Sequence, residues 1–110
     1  MTAKEIYEIA VEAVEELVQK DINKGIRSVN RASARHAGNP AALQKMQELL
    51  DSELTEENIN AEKADIMEGM VEVYQENLAK MQRKRRRDPD EERELAEAIE
   101  LMKEYVRRHS

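Results

Sequence analysis

Two prolines, Pro40 and Pro89, constrain this chain more than any other feature. Each follows a residue suited to cap a helix, Asn39 and Asp88, and each falls where the first helical position would be. Proline is tolerated there because its missing N–H would have no intrahelical partner anyway. Two interior helix starts are thereby marked, in a chain whose remaining residues are mostly Glu, Lys, Arg, Ala and Leu, all strong helix formers. Only three Gly and three aromatic residues are present, too few for the turns and the β-branched or aromatic faces of a sheet protein.

Two further starts can be read from side-chain spacing. Thr2 and Glu5 stand three residues apart, as in a capping box. Thr55 precedes Glu56 and Glu57, an N-cap followed by acids at the positive end of the helix dipole. Ile6, Ile9, Ala10, Ala13, Val14, Leu17 and Val18 then recur at helical spacing, as do Leu43, Met46, Leu49 and Leu50. The same holds for Ile66, Met67, Met70, Val71, Tyr74, Leu78 and Met81, and for Leu95, Ala98, Ile99, Met102 and Val106. Gly25, after Lys20 and Lys24, reads as a helix stop, and Gly38 as another. A helix running through Gly25 is the rival, since an interior glycine costs only about 1 kcal/mol.

The expected architecture is therefore all-α. One domain spans residues 1–110, with helices at about 2–24, 26–37, 40–53, 56–86 and 89–109. Three main antiparallel helices and an additional shorter helical segment make a three- to four-helix bundle. No repeat of about 20–50 residues is present, and no heptad pattern persists across the breaks.

Composition excludes several functions. With no Cys there is no disulfide framework, thiolate metal site or Cys nucleophile. No apolar run approaches the roughly 18 residues of a membrane span, and no signal-peptide pattern opens the chain. A cytoplasmic protein is the expectation. His36 and His109 are the only histidines, and neither has a Glu three residues before it, so the Glu-x-x-His pairs of di-metal bundles are missing. Ser33 and His36 lie one turn apart, without the orienting acid and oxyanion hole of a triad. No phosphate-binding glycine loop exists. Neither enzymatic activity nor a metal or other cofactor is expected.

Charge is distributed in blocks: −3 over residues 1–20, +4 over 21–47, −9 over 48–79, +6 over 80–87 and −4 over 88–110. The net charge of −6 disfavours a surface dedicated to nucleic acid, although Arg83-Lys84-Arg85-Arg86-Arg87 could hold a phosphate backbone. As a helix C-terminus, that run would serve the dipole instead. The methionines, Met46, Met67, Met70, Met81 and Met102, suit core filling better than an adaptable groove.

Segment 25–37 stands out. Arg27, Arg31 and Arg35 recur every four residues and form one basic stripe on a helix, beside small residues such as Ser28 and Ala32. Guanidinium groups grip carboxylates bidentately. Arg27, Arg31 and Arg35, with Ile26 and Val29 as apolar anchors, are thus the candidate contacts for a protein partner. The competing role for the stripe is pairing with the chain's own acidic 48–62 segment. Monomer and homodimer are both compatible with the apolar stripes.

Two stretches carry a resemblance: Gly38-Asn39-Pro40-Ala41-Ala42-Leu43, and Arg85 through Leu95 across Asp88-Pro89-Asp90-Glu91. Loops capped by Asn-Pro or Asp-Pro and followed by Glu/Arg/Ala-rich helix resemble those of computationally designed helical bundles. The resemblance implies an engineered scaffold, in which the non-ideal stretch with Asn23, Gly25, Ser28, Asn30 and Ser33 would be the functional patch. A natural adaptor that binds nucleic acid or a partner through its basic segments is the alternative. Asn39 to Leu43 with Gln47 is also similar to the turn of type III secretion needle proteins, small helical hairpins that polymerise. The C-terminal helix has no counterpart in that pattern.

Overall fold

The computed structural model describes residues 1–110 and contains four α-helices and no strand. They are α1 (Ala3–Arg35), α2 (Pro40–Glu53), α3 (Glu56–Gln82) and α4 (Pro89–His109). No helix is long and apolar enough to cross a membrane.

Every helix begins on the expected cap. The side chain of Thr2 accepts from the Glu5 N–H at 3.2 Å, Asn39 from Ala42 at 3.2 Å and Thr55 from Asn58 at 3.2 Å. Asp88 accepts from both Asp90 and Glu91 at 3.1 Å. Each cap satisfies backbone donors that the helix itself leaves unpaired. A fifth device comes from afar. The Glu94 carboxylate of α4 accepts the Ala3 N–H at 2.6 Å and ties the start of α1 to the bundle.

The core is a three-helix bundle built from the first half of α1 with α3 and α4. Ala10, Val14, Met67, Val71, Leu95, Ala98, Ile99, Met102 and Tyr105 form its buried centre. Ile6, Met70, Leu78 and Met81 pack around it half-buried. The start of α1, the end of α3 and the start of α4 meet at one end, where Met1, Ile6, Met81 and Leu95 line a groove. α3 therefore runs against both of its neighbours. Four methionines sit in or on this core, as expected of gap-filling side chains.

The helices differ in length, and this shapes the molecule. At 1.5 Å per residue, the 33 residues of α1 span about 50 Å and the 21 of α4 about 31 Å. The last buried residue of α1 is Val18. Beyond it, α1 first passes the start of α3, at Asp21 to Gly25, and then continues beside α2, which has no buried residue at all. The molecule measures 67 × 24 × 19 Å. Its radius of gyration, 19.7 Å, compares with about 13 Å for a compact domain of this size.

Three boundaries differ from expectation. α1 passes through Gly25 without a break, so the helices expected at 2–24 and 26–37 are one. No glycine has positive φ, so neither Gly25 nor Gly38 takes the left-handed stop conformation. The α1–α2 turn closes instead through the Asn39 N–H to His36 O, 2.8 Å. α3 stops at Gln82 rather than 86. Five consecutive cations repel one another along a helix surface, and Pro89 disfavours helical backbone in the residue before it. The Arg83–Arg87 run therefore forms the connecting loop.

Candidate functional site

From about Gly25 onward, the distal part of α1 and α2 form a two-helix arm whose base abuts the start of α3. The reason for a glycine within α1 is found here. A Cβ added to Gly25 would lie 3.2 Å from Leu50 Cδ1, so the missing side chain lets α2 approach closely. Gly25, Val29 and Ala32 of α1 face Met46, Leu49 and Leu50 of α2 across a shallow groove of about 340 Å³. Leu49 remains 60% exposed and Ile26 40% exposed. Val29 and Met46 are only half-buried. The arm thus has an apolar seam but too few helices to enclose it.

The five residues singled out in the sequence do not share one face. Arg27, Arg31 and Arg35 are exposed and form the expected stripe. Val29 lies about 160° around the helix from Arg27 and turns into the groove against α2. Ile26 stands on a flank, about 100° from Arg27. Leu49 was not among the predicted contacts, although it is the most exposed large apolar residue of the arm. The apolar period of α2 is a signal for it, but which edge of that face stays uncovered depends on the tertiary packing.

The basic stripe has no internal partner. The molecule contains four ion pairs: Lys4–Glu8, Arg87–Glu92, Arg93–Asp90 and Lys103–Glu100. Arg27, Arg31 and Arg35 take part in none of them, so the expected pairing with segment 48–62 is not formed. Residues 27–47, at the tip of the arm, carry Arg27, Arg31, Arg35 and Lys45 and no acid. Residues 48–62, which return to its base, carry six acids and no Lys or Arg.

At that base α1 meets the start of α3. Asp21, Glu53 and Glu62 line one small cavity with Ile22, Leu54 and Ile59. The Glu62 carboxyl is held above its ordinary range, first by a hydrogen bond shared with Asp21, then by burial and the charges of Asp21 and Asp65. No three His, Asp or Glu side chains converge as metal ligands.

The other candidates are dispersed. Ser33 is half-buried, while His36 is the exposed C-cap of α1, its backbone N–H donating to Ala32 O. Within the loop, Arg83 Nε donates to Ala79 O at 3.2 Å. Arg87 grips the buried Glu92 carboxylate, with Nη2 2.6 Å and Nε 3.2 Å from Oε1. Lys84, Arg85 and Arg86 are exposed and outside any ion pair.

No protein-family model, no curated protein and no solved structure matches the chain.

Proposed function

We propose that this protein is a non-enzymatic helical scaffold, engineered in the manner of idealised bundles, that holds out the α1–α2 arm to bind a protein partner. One observation carries the reading: α2 contributes no buried residue, yet it and distal α1 present a continuous apolar seam. A helical pair needs further helices over such a seam to exclude water from it. The partner would meet Leu49 as its exposed apolar contact, with Val29, Ala32 and Met46 beneath and Ile26 on the flank. Arg31 and Arg35, each about 60° around α1 from a groove-lining residue (Ser28 and Ala32), would take carboxylates at the rim, with Arg27 farther round the helix. The engineered origin draws support from the four helix starts, each on a side-chain cap, with acidic first turns on α3 and α4. The reading requires no cofactor.

The test is selection from a displayed library of helical peptides on the folded protein. Enriched peptides are expected to lose binding to Leu49→Glu and to the triple variant Arg27→Glu/Arg31→Glu/Arg35→Glu. They should keep it on Val73→Glu, an exposed apolar position on the bundle. Peptides indifferent to the arm variants would contradict the reading.

A second reading rests on Lys84, Arg85 and Arg86, three free cations on one loop. They would hold nucleic acid through phosphates, with affinity falling steeply as salt rises. No retention of DNA or RNA at low salt would eliminate it.

A further inference from the structure

The arm's charge is divided along its length, and this identifies an occupant for its seam. Arg31, Arg35 and Lys45 stand toward the tip, where α1 turns into α2. Glu48, Asp51 and Glu53 lie on the return path, and Glu56, Glu57 and Glu62 at the base, where α3 begins. Lys20 and Lys24 of α1 also stand at the base, but Asp21 and the six acids of residues 48–62 outnumber them, so the base stays acidic. An arm with a basic tip and an acidic base is self-complementary in one arrangement. Two arms laid antiparallel about a two-fold axis place each basic tip along the other's acidic base. The symmetry makes the match twice. A parallel arrangement sets like charge on like.

The seam fits the same arrangement. Two helices from each copy enclose a common apolar layer and complete an antiparallel four-helix bundle. Leu49, Met46, Val29 and Ala32 would supply that layer. The molecule's surface has room for it. The chain exposes 7978 Å², against about 6,200 Å² for a compact monomer of its 12.7 kDa mass. The excess, about 1,800 Å², is about twice the ~800 Å² that one partner contributes to a standard protein interface.

We infer that the arm is a homodimerisation element, and that a second copy of this chain, antiparallel and tip to base, covers its seam. This rests on reading the arm as a binding surface and names what it binds.

Sedimentation equilibrium of the full chain tests it, from about 1 µM to about 1 mM at low and high salt. The wild-type chain is expected to pass from monomer to dimer across this range, less readily as salt rises. A tip-reversed variant, Arg31→Glu/Arg35→Glu/Lys45→Glu, carries an acidic tip and an acidic base. A base-reversed variant, Glu48→Lys/Asp51→Lys/Glu53→Lys, brings residues 48–62 from a net charge of −6 to 0 and sets three cations on the return path, where the partner's basic tip lies. Each alone should self-associate roughly 100-fold more weakly, because like charges then face each other. Mixed in equal amounts, the two should pair, since each tip now meets charges of opposite sign on the other's return path. All six positions are outside the ion pairs of the fold, and circular dichroism would verify helicity. A wild-type chain that stays monomeric at every concentration overturns the second copy as occupant. So does failure of the folded variants to pair when mixed. If the peptide selection still depends on Leu49 and the Arg stripe, the arm remains a binding surface for another protein. If it does not, the arm reading falls as well.

Discussion

Gly25 and Leu50 define how the arm is built: a methyl group added at Gly25 would stand 3.2 Å from Leu50 Cδ1. Helix propensity and packing act in opposite directions there. Alanine favours helix over glycine by up to about 1 kcal/mol, while the new methyl presses on Leu50. Leu50 is half-buried and α2 has no buried residue to anchor it, so α2 can shift by a few tenths of an ångström. Gly25→Ala is therefore expected to raise stability by about 0.5 kcal/mol, and Gly25→Leu to detach α2 and lower helicity. Urea unfolding followed by far-UV circular dichroism measures both. A clear loss of stability in Gly25→Ala would show that α2 is held rigidly.

Tyr105 is 3% exposed, its ring stacks on His109 at 3.9 Å, and its hydroxyl has no hydrogen-bond partner within the protein. Tyr105→Phe keeps the ring and removes the stranded group, and should gain about 1 kcal/mol at neutral pH. Burial, followed by the Glu15 and Tyr7 charges, pushes the Tyr105 phenol up, with Arg108 opposing. An acid whose pKa is raised on folding contributes stability that is complete below its unfolded value. That stability is lost as pH rises through the folded value. Thermal melts of the wild type should therefore fall above about pH 10, and Tyr105→Phe should blunt the fall. Identical alkaline profiles would exclude Tyr105 as its source.

Glu62 faces Asp21 across the base of the arm. Its raised pKa places the proton-linked stability below the ordinary Glu range, and that stability is lost as pH rises through the folded value. At neutral pH two carboxylates oppose each other near the surface. Glu62→Gln should then stabilise the neutral protein by a few tenths of a kcal/mol. The gain should vanish near pH 4, where Glu62 is already protonated. An equal gain at both pH values would show that repulsion from Asp21 is not the cause.

Glu94 accepts the Ala3 N–H at 2.6 Å, joining residues 91 positions apart. Glu94→Ala leaves that donor without its partner and should cost about 1 kcal/mol in chemical denaturation. Its effect should be larger than that of Glu97→Ala, an exposed position on the same helix. Equal effects would assign the loss to helix propensity rather than to the tether.

The helix starts were legible in the sequence because capping is local chemistry. Thr2, Asn39, Thr55 and Asp88 each bond to an N–H two or three residues ahead. The core stripes of α3 and α4 were legible for the same reason, since their spacing is a property of one helix. Gly25 was ambiguous because its role depends on Leu50, twenty-five positions away and on another helix. The Arg27–Arg31–Arg35 stripe was visible, but its separation from Val29 depends on which side of α1 receives α2. Leu49 was not singled out because the uncovered edge of α2 arises from a mismatch in length between α1 and its bundle partners. That mismatch was hidden by the expected break at Gly25.

The arm is an under-buried extension of a separately packed three-helix core. Amide hydrogen exchange on the dilute protein tests this. Amides of α2 and of residues 26–35 should exchange through local openings well below the global unfolding free energy, while those around Met67, Ile99 and Met102 exchange only on global unfolding. Arm amides protected as strongly as the core in dilute solution would contradict the claim, because they would show the arm to be an integral part of one cooperative bundle.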